Sequence, residues 1–301
     1  MRLATDHVRV RVPATSANLG PGFDTLGLAF DLWDEVEARA VPGPSRVIVR
    51  GEGAGNVPLD DTHLVVRAAR RALDIVGAPE VGLHLTCRNR IPHGRGLGSS
   101  AAAVVAGGLI ARGLIEDPAA MNARAVFELA NEFEGHPDNA APAVFGRATI
   151  AWTADGATPR CVRFDVQPAI RAAVLVPTEK LGTNLARTAL PARVPHADAV
   201  FNVARAALMV HALTREPALL FDASEDRLHQ SYRASMMPST LALVTGLRDR
   251  GLPAMVSGAG PSVLVLTTGD VEDLARLVPQ GWRLLRLGVA EHGGTVARVA
   301  E

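Results

Sequence analysis

Ile91-Pro92-His93-Gly94-Arg95-Gly96-Leu97-Gly98-Ser99-Ser100-Ala101-Ala102 sets three glycines at alternate positions directly before two serines and an alanine-rich stretch. The stretch that follows, residues 99–114, has the composition of a buried helix, so the glycines form the loop that opens it. Glycine permits positive φ and lets the backbone approach a ligand, while the free amides and dipole of a first helical turn favour an anion. One reading is a phosphate cradle; the other is a Gly-Ser loop that merely caps a helix. Two familiar phosphate loops are excluded by detail. A P-loop needs Gly-Lys-Ser/Thr, and the single lysine of this chain is Lys180. The dinucleotide fingerprint needs a third glycine three positions after the second, where this chain has Ser99.

Outward from the loop, strands and helices interleave. Val8, Val10 and Val12 alternate with His7, Arg9 and Arg11, which predicts a half-buried strand ending at Pro13 and followed by a loop of small residues. Residues 26–37, 46–50 and 81–87 read as further strands, and residues 62–76 as a helix with Leu64, Val65, Ala68, Ala69, Ala72 and Leu73 on one face. Residues 121–134 read as a helix and 143–152 as a strand. The polar turn at residues 153–159 is the best linker candidate, which divides the chain into 1–158 and 159–301. Beyond it, strands are predicted at 171–176, 262–267, 283–290 and 294–299, and helices at 198–213 and 238–250, the last closing at Gly251.

Composition narrows the class. With 48% apolar and 21% charged residues, 301 residues make an ordinary α/β or α+β protein of two domains with a cleft between them. Basic and acidic side chains balance at 31 each, so no basic field exists to hold nucleic acid. Residues 99–112 fall short of the ~20 apolar residues of a membrane span. Cys87 and Cys161 lie in separate apolar stretches and residues 1–6 lack an apolar run, so a reducing, cytoplasmic setting is expected.

Three motifs in order carry a resemblance. Pro92-x3-Gly96-Leu97-Gly98-Ser99-Ser100-Ala101-Ala102 resembles the ATP-binding signature of the GHMP kinases. Pro13-Ala14-Thr15-Ser16-Ala17-Asn18-Leu19-Gly20-Pro21-Gly22-Phe23-Asp24 and Ser257-Gly258-Ala259-Gly260-Pro261-Ser262 are similar to its other two segments. The first of these, with Gly135-His136-Pro137-Asp138-Asn139, Lys180-Leu181-Gly182-Thr183-Asn184-Leu185-Ala186-Arg187 and the segment 226–233, resembles the homoserine kinase branch.

The resemblance implies an α+β fold: an N-terminal ribosomal-protein-S5-like domain with a left-handed β-α-β crossover, a C-terminal ferredoxin-like domain, and the active site between them. It also implies ATP held by residues 92–102 (Pro92, His93, Gly94, Arg95, Gly96, Leu97, Gly98, Ser99, Ser100, Ala101 and Ala102), a cytoplasmic homodimer, and L-homoserine as acceptor. Substrate residues carried over are Asn18, Asp24, His136, Asp138, Thr183, Arg187, Arg233 and Gly260. The chemistry agrees, because a zwitterion with a terminal hydroxyl needs cations for its carboxylate and acids or amides for its ammonium and hydroxyl. Magnesium is expected on Ser100 and Glu128, with Glu132 and Glu134 as competitors on the same helix. Asp138, Asn139 and Asn18 are the candidate catalytic residues, orienting the hydroxyl without a strong general base. The rivals are another GHMP kinase with a different alcohol substrate, and a catalytically silent nucleotide-binding paralogue.

Overall fold

A computed structural model describes residues 1–154 and 158–300. β1 (His7–Asn18) and β2 (Gly22–Val41) form a long antiparallel hairpin. Val8, Val10 and Val12 point into the core and Arg9 and Arg11 to solvent, as the alternation requires. The strand does not end at Pro13. A register shift between Pro13 and Ala14 forms an irregularity that accommodates a residue without an amide hydrogen, and pairing resumes from Ala14 opposite Phe30 to Ala17 opposite Gly27. This continuation carries Thr15, Ser16 and Asn18, all buried, into the middle of the molecule.

β3 (Arg46–Gly51) and β4 (Gly82–Asn89) run parallel, joined through α1 (Leu64–Ile75). α2 (Ser99–Leu114) packs on β1 between α1 and α3 (Ala123–Glu134). Gly107 is where α2 meets α1: a Cβ there would lie 2.5 Å from Ala68 Cβ and 2.7 Å from the Ala69 amide nitrogen. The strand expected over residues 143–152 begins instead as α4 (Ala140–Phe145), stopped by Gly146, and only then becomes β5 (Ala148–Ala154). Pro142 is compatible with α4 because it falls in the first turn, where an amide has no partner within the helix. β6 (Thr158–Phe164) pairs with β5.

The second sheet comprises β7 (Arg171–Pro177), β8 (Ala254–Val256), β9 (Val263–Thr267) and β10 (Trp282–Leu287) in the order β10-β7-β9-β8, every pair antiparallel. Counted along the chain this is fourth, first, third, second, the ferredoxin-like arrangement. Between β7 and β8 lie α5 (Thr183–Thr188), α6 (His196–Thr214), α7 (Leu220–Ala223) and α8 (Pro238–Arg248). After β10 the chain leaves this sheet, and β11 (Thr295–Arg298) pairs with β1, giving the first sheet the order β11-β1-β2-β4-β3.

The boundary at 158/159 is therefore corrected. It cuts the first residue from β6, which belongs to the first sheet, and residues 295–298 belong there too. Residues 153–154 and 158–159 of the expected linker are hairpin strand; its residues 155–157 lie outside the described residues. The two sheets also share a core. Ala172, Val174 and Val176 of β7 join the large apolar cluster of the first sheet, while Ala173 and Leu175 join a smaller one under α8. Among the described residues no helix is long and apolar enough to cross a membrane.

Candidate active site

The cradle stands at the N-terminus of α2. Gly98 caps the helix with φ +69°, and Gly94 and Gly96 have φ of +65° and +68°. Two of them also have no room for a side chain: a Cβ on Gly96 would lie 2.0 Å from the Ser257 carbonyl oxygen, and one on Gly98 2.0 Å from Thr15 Oγ1. The first intrahelical bond runs from the Ala102 amide to the Gly98 carbonyl. The amides of residues 99–101 have no partner among the described residues, and with the helix dipole they favour an anion there.

Hydrogen bonds tie the three motifs into one body. The Thr15 amide donates to the Leu97 carbonyl (3.1 Å) and the Gly258 amide to the Ala17 carbonyl (3.2 Å). Ser257 Oγ donates to the Gly96 carbonyl (2.7 Å), and Asn18 Nδ2 to the Gly258 carbonyl (2.8 Å). Segments far apart in the chain thus meet on the first turn of α2.

A cavity of about 390 Å³ opens there. Of the expected residues it brings together Asn18, Asp24, Gly94 to Ser100, His136, Asp138, Asn139, Thr183, Arg187 and Arg233. It does not include Gly260, which is turned against Met237 behind Gly258 and Ala259. Nor does it include Glu128, which is corrected: Glu128 lies on the solvent side of α3, paired with Arg124 one turn earlier (2.9 Å). Glu134, at the end of α3, accepts a 2.5 Å hydrogen bond from Ser100 Oγ, and burial pushes its carboxyl pKa up against the opposing effect of that bond.

Other expected roles are redistributed. Asn18 engages its carboxamide at both ends, accepting from the Asp24 amide (3.0 Å) and donating to Gly258, so it shapes the turn that presents Asp24. Arg95 turns its guanidinium to the carbonyls of Pro177 (2.8 Å) and Thr178 (2.7 Å), tying the loop to β7. Pro92 is buried under the loop. His93 and Ala102 line a second, mostly apolar cavity of about 230 Å³ with Val36, Val57, Pro58 and Leu64. Ser99 and Ser100 border both cavities. Of its lining, Val57 and Pro58 were not singled out from the sequence, where residues 51–61 carry no periodic pattern.

Charge in the main cavity is arranged in opposed sets. Arg187 holds Asp24 with both arms of its fork, at 3.0 and 2.5 Å. Burial alone would lower the Arg187 pKa, but Asp24 outweighs it and the pKa is raised. Arg233 is 1% exposed and contacts the Ala186 carbonyl and His229 Nδ1 without a carboxylate in ion-pair range among the described residues. Its pKa is lowered by burial and by the nearby Arg187. This is a buried cation lacking an anion, which an incoming carboxylate would supply. His136 Nδ1 lies 2.5 Å from Asp138 Oδ1; burial opposes protonation of the imidazole, yet the bond and charge of Asp138 prevail and raise its pKa. The Asn139 amide donates to the same Asp138 oxygen at 2.9 Å.

A glycine cradle on a helix N-terminus, an adjoining apolar cavity, and a cluster of arginines and acids beside them define a kinase of small molecules. The family model described as "GHMP kinases N terminal domain" matches residues 63–147. The homoserine kinase of Leifsonia xyli is 54% identical to it, over 98% of this chain and 93% of the relative, and that of Streptomyces coelicolor 49% identical, over 97% and 95%. The crystal structure of homoserine kinase from Cytophaga hutchinsonii superposes with a TM-score of 0.82 at 26% identity, covering 98% of each chain. The chain belongs to the homoserine kinase family.

Proposed function

We propose that the chain transfers the γ-phosphate of ATP to the hydroxyl of L-homoserine, giving O-phospho-L-homoserine and ADP, a step of threonine biosynthesis. One observation carries this reading: the phosphate-facing turn of α2 shares a single cavity with Asp24, Arg187 and the unpaired Arg233. The arginines suit a carboxylate, Asp24 suits an ammonium, and a four-carbon amino acid so held extends its hydroxyl toward the cradle. The apolar cavity across Ser99 and Ser100 suits the adenine.

In the transfer the hydroxyl oxygen forms a bond to the γ-phosphorus while the bond to the bridging oxygen breaks and ADP departs. Asp138 is fixed through Oδ1 by His136 and the Asn139 amide, and its Oδ2, which has no partner among the described residues, accepts from the hydroxyl and aims it. The proton leaves late, with the new phosphate ester, as a loose transition state permits. The amides of α2 and the carboxamide of Asn139 bear on the charge of the transferring group.

Magnesium fits the donor set. Ser100 Oγ and Glu134 supply a hydroxyl and one carboxylate, the protein share usual for this ion when phosphates and water complete its shell, and no cluster of three or more His, Cys, Asp or Glu exists among the described residues to favour another metal. When bound it neutralises charge on the β- and γ-phosphates. The resemblance that supports this reading also supports a cytoplasmic homodimer.

The test is ADP release with Mg-ATP and a panel of homoserine, mevalonate, galactose and shikimate, extended to 4-hydroxybutyrate and 3-aminopropan-1-ol, which each lack one charge of homoserine. Homoserine is expected to exceed all of them in kcat/KM, and the two truncated analogues to fall by roughly 10²- to 10⁴-fold because each leaves a charged group of the site uncompensated. Faster turnover of any other alcohol overturns the assignment.

A further inference from the structure

Asn139 stands at the N-cap of α4, where a carboxamide ordinarily accepts from the helix's own amides, yet its side chain makes no capping bond. It is turned instead across the cleft wall to Thr15, whose Oγ1 donates to Asn139 Oδ1 at 2.8 Å. Thr15 is 0% exposed, lies inside β1 opposite Ala29, and is held from its other side by the bond of its amide to Leu97. As a β-branched residue in a strand it has little rotamer freedom. Its hydroxyl is therefore a fixed donor.

The space for that bond comes from Gly98. A Cβ on Gly98 would lie 2.0 Å from Thr15 Oγ1 and 3.1 Å from Asn139 Oδ1, squarely over the pair. The third glycine of the cradle thus does more than shape a phosphate loop. It leaves open the route by which β1 reaches the N-terminus of α4.

Resting on the kinase reading above, we propose that Thr15 is a positioning residue for phosphoryl transfer: by donating to Oδ1 it fixes which end of the Asn139 carboxamide faces the cavity, presenting the NH₂ group to the transferring phosphoryl. The reverse orientation would leave the buried Thr15 hydroxyl hydrogen without an acceptor, because no other side-chain or backbone oxygen among the described residues receives it. It would also aim a carbonyl oxygen at a phosphate, a repulsive pairing. With Oδ1 held, Nδ2 has no partner among the described residues, and Asn139 lines the cavity that also contains the first turn of α2. A donor locked in place before the reaction requires no reorganisation as charge develops on the phosphoryl oxygens.

Thr15→Val, Thr15→Ser, Asn139→Ala and the double variant Thr15→Val/Asn139→Ala test this by steady-state kinetics with homoserine and Mg-ATP, with thermal melts alongside. Expected are a fall in kcat of about 10- to 100-fold for T15V with both KM values within about threefold, recovery to within about threefold for T15S, and a double variant no slower than N139A alone. A T15V enzyme with wild-type kcat overturns the proposal. So does a double variant whose losses multiply, or a T15S enzyme that folds and is as slow as T15V. Should T15V melt too early to assay, T15S at wild-type stability with kcat reduced tenfold or more would equally sink it. A wild-type chain that releases no ADP with homoserine removes the kinase reading itself, whereas an active wild type with an indifferent Thr15 removes only this inference.

Discussion

Asp34 shows what a single ionisable side chain does at the wall of the apolar cavity. Its Oδ1 accepts from the amides of Arg90 (2.6 Å) and Ile91 (2.9 Å), pinning the start of the cradle loop to β2. Burial outweighs those bonds, and with the nearby Glu52 it raises the Asp34 pKa from 3.8 to about 6. Because the folded protein holds this proton more tightly than the unfolded chain, the stabilisation it contributes is fully present below pH 3.8 and lost as pH rises through about 6. Asp34→Asn keeps an oxygen for the two amides without an ionisable group. It should be more stable than wild type by about 1–2 kcal/mol at pH 8, a rise in Tm of about 2–6 °C, with the difference vanishing near pH 4. Melts of both proteins at the two pH values check this, and an equal advantage at both would refute the assignment of the cost to ionisation. The fold brings Asp24, His136, Asp138, Arg187 and Arg233, each named from a sequence motif, into one cavity. What spacing could not settle was which glutamate of α3 faces Ser100. Glu128 and Glu134 are six residues apart, and the angle at which α3 meets α2, a tertiary quantity, selects Glu134. Side-chain occupancy was equally hidden: nothing local says that Asn18 and Arg95 use their polar atoms on backbone groups.

At the scale of elements the cradle is only as well placed as α2. That helix crosses α1 at Gly107, where Ala68, Ala69 and Val65 close to within 2.8 Å of an added Cβ, and two of the three nearest atoms are backbone. Gly107→Val must drive the helices apart, so a loss of about 2–4 kcal/mol is expected, seen as a lower denaturation midpoint with an unchanged m-value. A midpoint within error of wild type would show that the crossing is not tight in solution. Composition after the glycine loop located α2 to the residue, because sixteen small and apolar residues make a run too long for a strand. It failed on α4, whose six residues include a proline and are apolar on every side. It failed also at Pro13, where β1 survives a proline by shifting register, a solution that depends on the partner strand and not on β1 itself.

The molecule as a whole is less divisible than its two sheets suggest. β7 contributes alternate side chains to two apolar clusters, and the last strand, β11, lies in the first sheet rather than the second. The last residue of that strand, Arg298, donates through Nε to the Gly113 carbonyl (3.0 Å) and through Nη2 to that of Ile115 (2.7 Å), satisfying the end of α2 opposite the cradle. A chain ending at Gly294 should therefore lose about 3 kcal/mol or more and bind Mg-ATP more weakly, although no removed residue lines either cavity. Calorimetry of unfolding and of Mg-ATP binding measures both, and unaltered nucleotide affinity would show that α2 holds its position without β11.

The return of β11 also sets an order of events during synthesis. β1 is translated before β2 to β10, and its outer edge stays open until β11 follows them. Through that interval a strand with valines at alternate positions offers unpaired backbone to any neighbouring nascent chain, a hazard that ends only when the final strand arrives. A chain whose translation stalls before β11 would thus aggregate with the rest of the fold already made, and a bulky fusion after residue 298 would load the strand on which closure of the sheet depends.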